Sequence, residues 1–342
     1  MTITEIAQEA GVSIATVSRF LNNGPVKEET KKKLEQVIRK INYVPESFTR
    51  KIISSPSQVS TIAIISHSIT NPYTTEFVEE VSTIYNSRSI VCYTVYCVDT
   101  DTEYRYLMDL IAHKVNGIIM HDPDMGDGKF ELYNRIAQRV PFVIIHSLKG
   151  DISCNSITVD QEIGMKHAME YLINLGHRRI AYISGNDGYS FRLKERIWKE
   201  ELARIGITPP EQDCIRAANV DFEKGMDTAR ETVLTYLKEG NRPTAIFTAN
   251  DIIAMGTISA LTEMGLSVPK DISVMSHDNT LLARSLNLTC VDMKIRSVGI
   301  ASVDLMDYAI KGSDTTPRHI SLTPSIIERS SCRNILKDSV IQ

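Results

Sequence analysis

No uninterrupted apolar run in this sequence extends beyond a few residues, and Ile62-Ala63-Ile64-Ile65 is typical of the longest. A membrane-spanning helix needs roughly 20 such residues, so no membrane segment and no membrane partner are expected. The first 20 residues carry acids and lack a basic segment followed by an apolar block, so no secretory signal is read there. Six cysteines (Cys92, Cys97, Cys154, Cys214, Cys290, Cys332) form no Cys-x-x-Cys pair and sit mostly in apolar, strand-like runs. That usage suits reduced, buried thiols in the cytoplasm, not a disulfide framework or a zinc site. Neither Gly-x-Gly-x-x-Gly after the first core strand nor a phosphate-binding Gly-x-x-x-x-Gly-Lys-Ser/Thr is present, which argues against a nucleotide-dependent enzyme. Scattered His and Ser lack a nucleophile-elbow context, so no catalytic residues and no cofactor are expected. Asp122-Pro123-Asp124-Met125-Gly126-Asp127-Gly128 looks like the start of a calcium loop. The position for its closing glutamate is Tyr133, so the stretch reads as a solvated loop.

What is present fits an ordinary globular protein. The 342 residues are 42% apolar and 23% charged, enough for two or three domains. The net charge of −4 hides an asymmetry: residues 1–53 hold nine Lys/Arg against six Asp/Glu, and the remainder hold 29 against 36. A basic head on an acidic body can touch phosphate at one end only.

The head reads as three helices. Thr2-Ile3-Thr4-Glu5 fits a capping box, and Ile3, Ile6, Ala7 and Ala10 recur at helical spacing up to Gly11, placed to end that helix left-handed. Ser13 caps a second helix from Ile14 to about Asn22, Asn23-Gly24-Pro25 is turn chemistry, and a third helix runs from about Lys27 to Asn42. Val17 and Leu21 face inward one turn apart, leaving Ile14, Ala15, Ser18, Arg19 and Asn22 exposed. Small or reaching side chains there suit approach to base edges in a major groove, and Thr16, Ser18 and Asn22 could bind phosphate. Residues 46–59 form a short, marginal helix and a polar linker.

From residue 60 strand and helix alternate. β-rich runs occur at 61–66, 90–98, 116–121 and 141–146, and again at 179–184, 214–220, 244–250 and 272–278, with amphipathic helices such as 161–175 and 192–205 between them. Two such groups imply two parallel sheets and hence two lobes. Ligands in these folds sit at the carboxyl ends of strands, which points to Ser66, His121, His146, Asn250 and Asp278.

The residues Ala10-Gly11-Val12-Ser13, Thr16-Val17-Ser18-Arg19 and Leu21-Asn22 closely resemble the head signature of the lactose/galactose-repressor (LacI/GalR) family of bacterial transcription regulators. LGHRRIAYISG at 175–185, FTANDIIAMG at 247–256 and VPKDISVMSHDN at 268–279 extend the resemblance over nearly the whole chain. It implies an all-α helix-turn-helix DNA-binding domain (1–45), a hinge helix and linker (46–59), and an α/β two-lobed, type I periplasmic-binding-protein-like core (60–342). The first lobe would hold about 60–158 and 291–322, the second about 159–290 and 323–342.

The resemblance also implies roles. Ile14 and Ala15 fall on the specificity positions and Arg19 on a base contact, with further DNA contacts at Thr2, Ile3, Thr4, Tyr43, Thr49 and Ile52. In the hinge, Ile52 stands where the family drives a leucine into the minor groove, and an isoleucine can serve as the same wedge. Thr49 and Glu46 replace the family's alanine and asparagine. Asn250 and Asp278 match positions that hydrogen-bond ligand hydroxyls, Phe222 an aromatic that packs on the ligand, and Lys194 the ligand-binding arginine, with Arg192 and Tyr73 beside the cleft. His146 stands where an aspartate is usual. These substitutions suit either another neutral sugar or, through His121, His146 and Lys194, a phosphorylated or acidic one; a non-carbohydrate ligand is the third choice.

The expectation is a cytoplasmic homodimer that represses a carbohydrate operon, binds a pseudo-palindromic operator, and changes operator affinity when a small molecule closes the cleft. Control by a phosphorylated carrier protein or a non-sugar corepressor is the alternative.

Overall fold

The computed structural model describes residues 3–21, 24–40, 60–97, 99–121, 123, 129–146, 152–185, 188–217, 222–312 and 316–336. They fall into two compact units, Met1–Ser60 and Thr61–Gln342.

The first unit contains α1 (Ile3–Ala10), α2 (Ile14–Leu21) and α3 (Glu28–Lys40). Ile6 and Ala7 on α1, Val17 on α2 and Leu34 on α3 close into one small core, with Ala10, Val12, Phe20 and Val37 packed around it. Gly11 holds φ +66°, a left-handed conformation that costs glycine little, and this ends α1. Ser13 Oγ accepts the Thr16 amide (3.2 Å) and so caps α2. The expected cap at Thr2, Asn22 and the hinge positions Tyr43, Glu46, Thr49 and Ile52 lie outside the described residues.

The second unit is built on two six-stranded sheets. The first contains β1 (Thr61–Ser66), β2 (Val91–Tyr96), β3 (Gly117–His121), β4 (Phe142–His146), β5 (Asn155–Val159) and β11 (His319–Leu322), in the order β11-β5-β4-β3-β1-β2. The second contains β6 (Ile180–Ser184), β7 (Cys214–Arg216), β8 (Ala245–Thr248), β9 (Ser273–Asp278), β10 (Thr289–Asp292) and β12 (Ser325–Ile327), in the order β12-β10-β9-β8-β6-β7. Every pairing is parallel except β12 on β10. The central strands are continuously apolar because helices cover both faces: all of β3 and β6 is buried.

Helices α4 (Pro72–Ser87), α5 (Thr100–Ala112) and α6 (Lys129–Ala137) follow the strands of the first lobe, and α12 (Ile295–Lys311) returns to pack on α4. In the second lobe lie α7 (Gln161–Asn174), α8 (Tyr189–Arg204), α9 (Phe222–Lys238), α10 (Asp251–Glu263) and the short α11 (Leu281–Ser285). Among the described residues no helix is long and apolar enough to cross a membrane.

The chain passes between sheets at residue 160, at 293–294 and at 323–324. Val159 pairs with Leu322 in the first sheet, and Asp292 pairs with Asp278 in the second. These registers put 159 in the first lobe and 291–292 in the second, one or two residues from the expected edges. Four strands, β5, β10, β11 and β12, were not among the runs that the alternation singled out. They are short, and β11 and β12 sit at sheet edges where burial imposes no apolar run. Tyr133, in α6, is a core residue whose hydroxyl donates to the buried Glu103 carboxylate (2.6 Å).

Candidate functional site

Two surfaces answer to the candidate residues. On the head, α2 turns Val17 into the core, and Ile14 stays 51% exposed with Ser13, Ala15 and Arg19 open beside it. Thr16 and Ser18 are half-buried. Phe20, which periodicity did not assign inward, also packs on the core. Gly24 closes α2 by donating its amide to the Arg19 carbonyl (2.8 Å). A Cβ at Gly24 would lie 2.6 Å from Arg19 Cγ, so this glycine lets the arginine stem lie flat against the turn. Thr4 is exposed; the side chains of Ile3 and Leu21 lie outside the described residues.

In the core, the predicted strand-end residues gather at the carboxyl edges of the two sheets. Ser66 and His121 are register partners on β1 and β3, and His146 ends β4 beside them. Asp278 ends β9, Asn250 follows β8, and Phe222 begins α9. The side chains of His146 and Phe222 lie outside the described residues. Ser66 is buried, and its hydroxyl donates to the Ser68 carbonyl (3.2 Å).

His121 is 1% exposed and stacks on Phe77 at 4.5 Å between ring centres, with the Tyr73 ring at 5.7 Å. Neither ring nitrogen has a hydrogen-bond partner among the described residues. Burial disfavours the charged imidazolium and pushes its pKa down to about 4, so His121 is neutral at physiological pH. It therefore supplies no positive charge to the cleft, contrary to the reading that counted it as a cation.

Lys194 is 4% exposed, donates to the Ala249 carbonyl (2.9 Å) and lies 5.8 Å above the Phe191 ring. Arg192, two residues earlier on α8, is exposed. Asn250 spends its side-chain oxygen on capping α10, accepting the Ile253 amide at 2.9 Å. Its NH2 end has no partner among the described residues.

Asp278 is held in an unusual backbone, φ +108°, followed by Asn279 at φ +63°. Two consecutive non-glycine residues at positive φ cost on the order of 1–3 kcal/mol each and persist only when their surroundings fix them. Asp251 supplies that fixing: it is buried and accepts from Ser276 Oγ (2.6 Å), the Thr280 amide (2.7 Å) and Thr280 Oγ1 (2.8 Å). Arg329 donates to Asn279 Oδ1 (2.7 Å) from the other side. The Asp278 carboxyl keeps 17% exposure, and burial raises its pKa while the Lys194 ammonium opposes the rise. Asp251 is raised by its own burial and then by the Asp278 charge.

Three members of this site escaped the sequence reading: Asp251, His277 and Ser184. His277 is buried, contacts Asp278 and stays neutral because burial and then the Lys194 charge press its pKa down. Ser184 ends β6 with its hydroxyl buried. Their positions beside recognised ones, at strand ends, were the available signal. Among the described residues no group of three or more His, Cys, Asp and Glu is arranged to hold a metal ion.

Residues 2–46 match the family of bacterial regulatory proteins, lacI family, and residues 169–332 match a periplasmic binding protein-like domain. The chain is 31% identical over 343 residues to the HTH-type transcriptional repressor PurR of Vibrio atlanticus (strain LGP32), covering 98% of this chain and 99% of that protein. It is 29% identical over 337 residues to the ribose operon repressor of Escherichia coli (strain K12), covering 96% and 99%. Among solved structures it resembles the lac repressor dimer bound to operator and the anti-inducer ONPF, with a TM-score of 0.70, 26% identity, and coverage of 97% of this chain and 99% of that one.

Proposed function

The chain belongs to the lacI family of bacterial regulatory proteins, and from that premise we propose how its two units share the work of a ligand-responsive transcriptional repressor. The head (1–45) presents Ile14, Ala15 and Arg19 to base edges, with Ser13, Thr16 and Ser18 nearer the phosphates. Tyr43 at the end of the head and Thr49 and Ile52 of the hinge (46–59) add contacts at the operator centre. The protein works as a cytoplasmic homodimer on a pseudo-palindromic operator, without a cofactor and without catalysis. The edge strand β2 supports pairing with a second copy, since Val91, Tyr93 and Tyr96 are all exposed on it.

The effector is a neutral polyhydroxy compound, in keeping with the names of relatives that repress a ribose operon or bind ONPF. One observation carries this choice over a phosphorylated or acidic sugar: the partly open carboxylate of Asp278 contacts a buried, neutral histidine, His277, that does not balance its charge. An anion there would face Asp278, and the Lys194 ammonium that acts on Asp278 already donates to a carbonyl. A neutral sugar donates hydroxyls to Asp278 and accepts from Lys194 and the Asn250 amide.

A thermal-shift screen of neutral sugars, sugar phosphates and uronates tests this reading. A ligand at 100 times its Kd stabilises the fold by about 2.7 kcal/mol. A shift with neutral sugars that also alters gel mobility of the upstream DNA is the expected result; a shift only with phosphates or uronates refutes the ligand assignment.

A further inference from the structure

Outside the cleft, one carboxylate ties the lobes together. Glu76 on α4 accepts the backbone amide of Leu281 through one oxygen and meets Arg284 Nη2 at 3.0 Å through the other. Glu76 belongs to the first lobe, and Leu281 and Arg284 form α11 of the second.

The partners on each side lead back to the candidate ligand residues. Arg284 uses its second nitrogen, Nη1, to hold the Asn279 carbonyl (2.9 Å), so one guanidinium grips both the strained turn after Asp278 and Glu76. On α4, Glu76 lies between Tyr73 and Phe77, the two rings that flank His121. Within the second lobe the turn is already held by Asp251 and Arg329. Through Leu281 and Arg284 the turn also reaches across to α4. The neighbouring carboxylate Glu80 is different, since it pairs with Arg296 of α12 inside the first lobe.

We propose that Glu76 is a positioning residue, the strut through which the Asp278–Asn279 turn sets the position of α4 and hence the angle between the lobes. The turn is fixed within its own lobe, so a ligand that shifts Asp278 displaces Leu281 and Arg284 as one body. Glu76 passes that displacement to the helix that carries Tyr73 and Phe77. A two-state lobe angle biased at both ends is what coupling between a ligand site and a DNA site requires. The strut itself is read from the core alone; its effect on DNA rests on the regulator reading above.

The test uses full-length protein carrying Glu76→Ala, Glu76→Gln, Arg284→Met, or Glu76→Ala with Arg284→Met. Glu79→Ala, exposed on the same helix, is the control. Amide hydrogen exchange and affinity for a palindromic duplex selected from random DNA by the unaltered protein are measured. Loss of the strut should speed exchange about tenfold at 281–284 and also at 72–77. The double variant should be no faster than Glu76→Ala, and Glu76→Gln, which keeps an acceptor for Leu281, should lie between. Operator Kd should move by roughly threefold or more, with the melting temperature within about 2 °C of the control. Exchange confined to Leu281 with unchanged operator affinity would reduce the contact to an ordinary surface ion pair. Operator affinity that merely follows a lowered melting temperature also overturns the proposal. If the unaltered protein selects no DNA, the regulator reading fails, and the exchange at 72–77 still decides the strut.

Discussion

His277 Nδ1 lies 2.9 Å from Asp278 Oδ1, so the carboxyl group that ends β9 enters the cleft with one oxygen already engaged. The imidazole is neutral and buried, so it orients this carboxyl without balancing its charge. The Asp278 pKa is raised mainly by burial, and the buried Asp251 nearby is raised partly by Asp278.

That raised pair gives a signed pH dependence. Between the unfolded carboxylate value and the higher folded one, the native core binds more protons than the unfolded chain. Its stability therefore falls as pH rises through that window, and the penalty is absent at the acid end. Asp278→Asn removes part of it. The variant core should be more stable at pH 8, by on the order of 1–3 kcal/mol, and show a flatter stability profile from pH 4 to 8. The same change should weaken sugar binding by roughly 1.5–3 kcal/mol, since a charged acceptor is lost. Denaturant titrations at several pH values check the first part, and a steeper profile in the variant would falsify it.

Arg19 and Gly24 make a linked prediction on the head. Arg19→Ala should cost about 1–3 kcal/mol of discrimination at one operator base while leaving ligand-induced shifts of the core intact. Gly24→Ala should reproduce part of that loss, because the new methyl group meets Arg19 Cγ and displaces the stem. Binding to single-base operator variants reads both. Uniform weakening across all bases would mean that Arg19 contacts phosphate instead.

Among its described residues the head buries four apolar side chains in one small core, and a core of that size has little stability to lose. Leu34→Ala removes one of them at a typical cost of about 2–5 kcal/mol. Operator binding should vanish, yet the core transition in calorimetry should stay where it is, because Leu34 belongs to the separate first unit. A lowered core transition would contradict that independence.

Much of this was legible in the residues. Ser13, Gly11 and Val17 announce their cap, stop and core position through local spacing, and the apolar runs of β1, β3 and β6 identify buried parallel strands. Non-local geometry was not legible. Ser66 and His121 were picked out by strand-end logic, but only packing reveals that one hydroxyl turns to Ser68 and that Phe77 encloses the other ring. Asp251 reads in sequence as a neighbour of Asn250, although its role is to fix Thr280, 29 residues away. Glu76 is one acid among three on α4, and nothing in its spacing tells that it alone of them meets α11.

The last prediction concerns the far end of the second lobe, where Asp213 receives a two-pronged grip from Arg179 (Nε and Nη2, both 2.9 Å) and a hydrogen bond from the Tyr236 hydroxyl (2.6 Å). This joins the starts of β6 and β7 to α9. The partners are unequally buried: the Arg179 side chain is 38% exposed and Asp213 only 1%. Removing Asp213 leaves a guanidinium that can turn to water; removing Arg179 leaves a carboxylate that cannot. Arg179→Met should therefore cost about 3–5 kcal/mol, while Asp213→Asn, which keeps an acceptor for Tyr236, should cost roughly 1–3 kcal/mol. Neither should alter ligand affinity at temperatures where the fold is intact, since the cluster lies at the opposite sheet edge from Asp278. Urea titrations of the two variants decide the order, and equal or reversed costs would show that solvent access does not govern this pair.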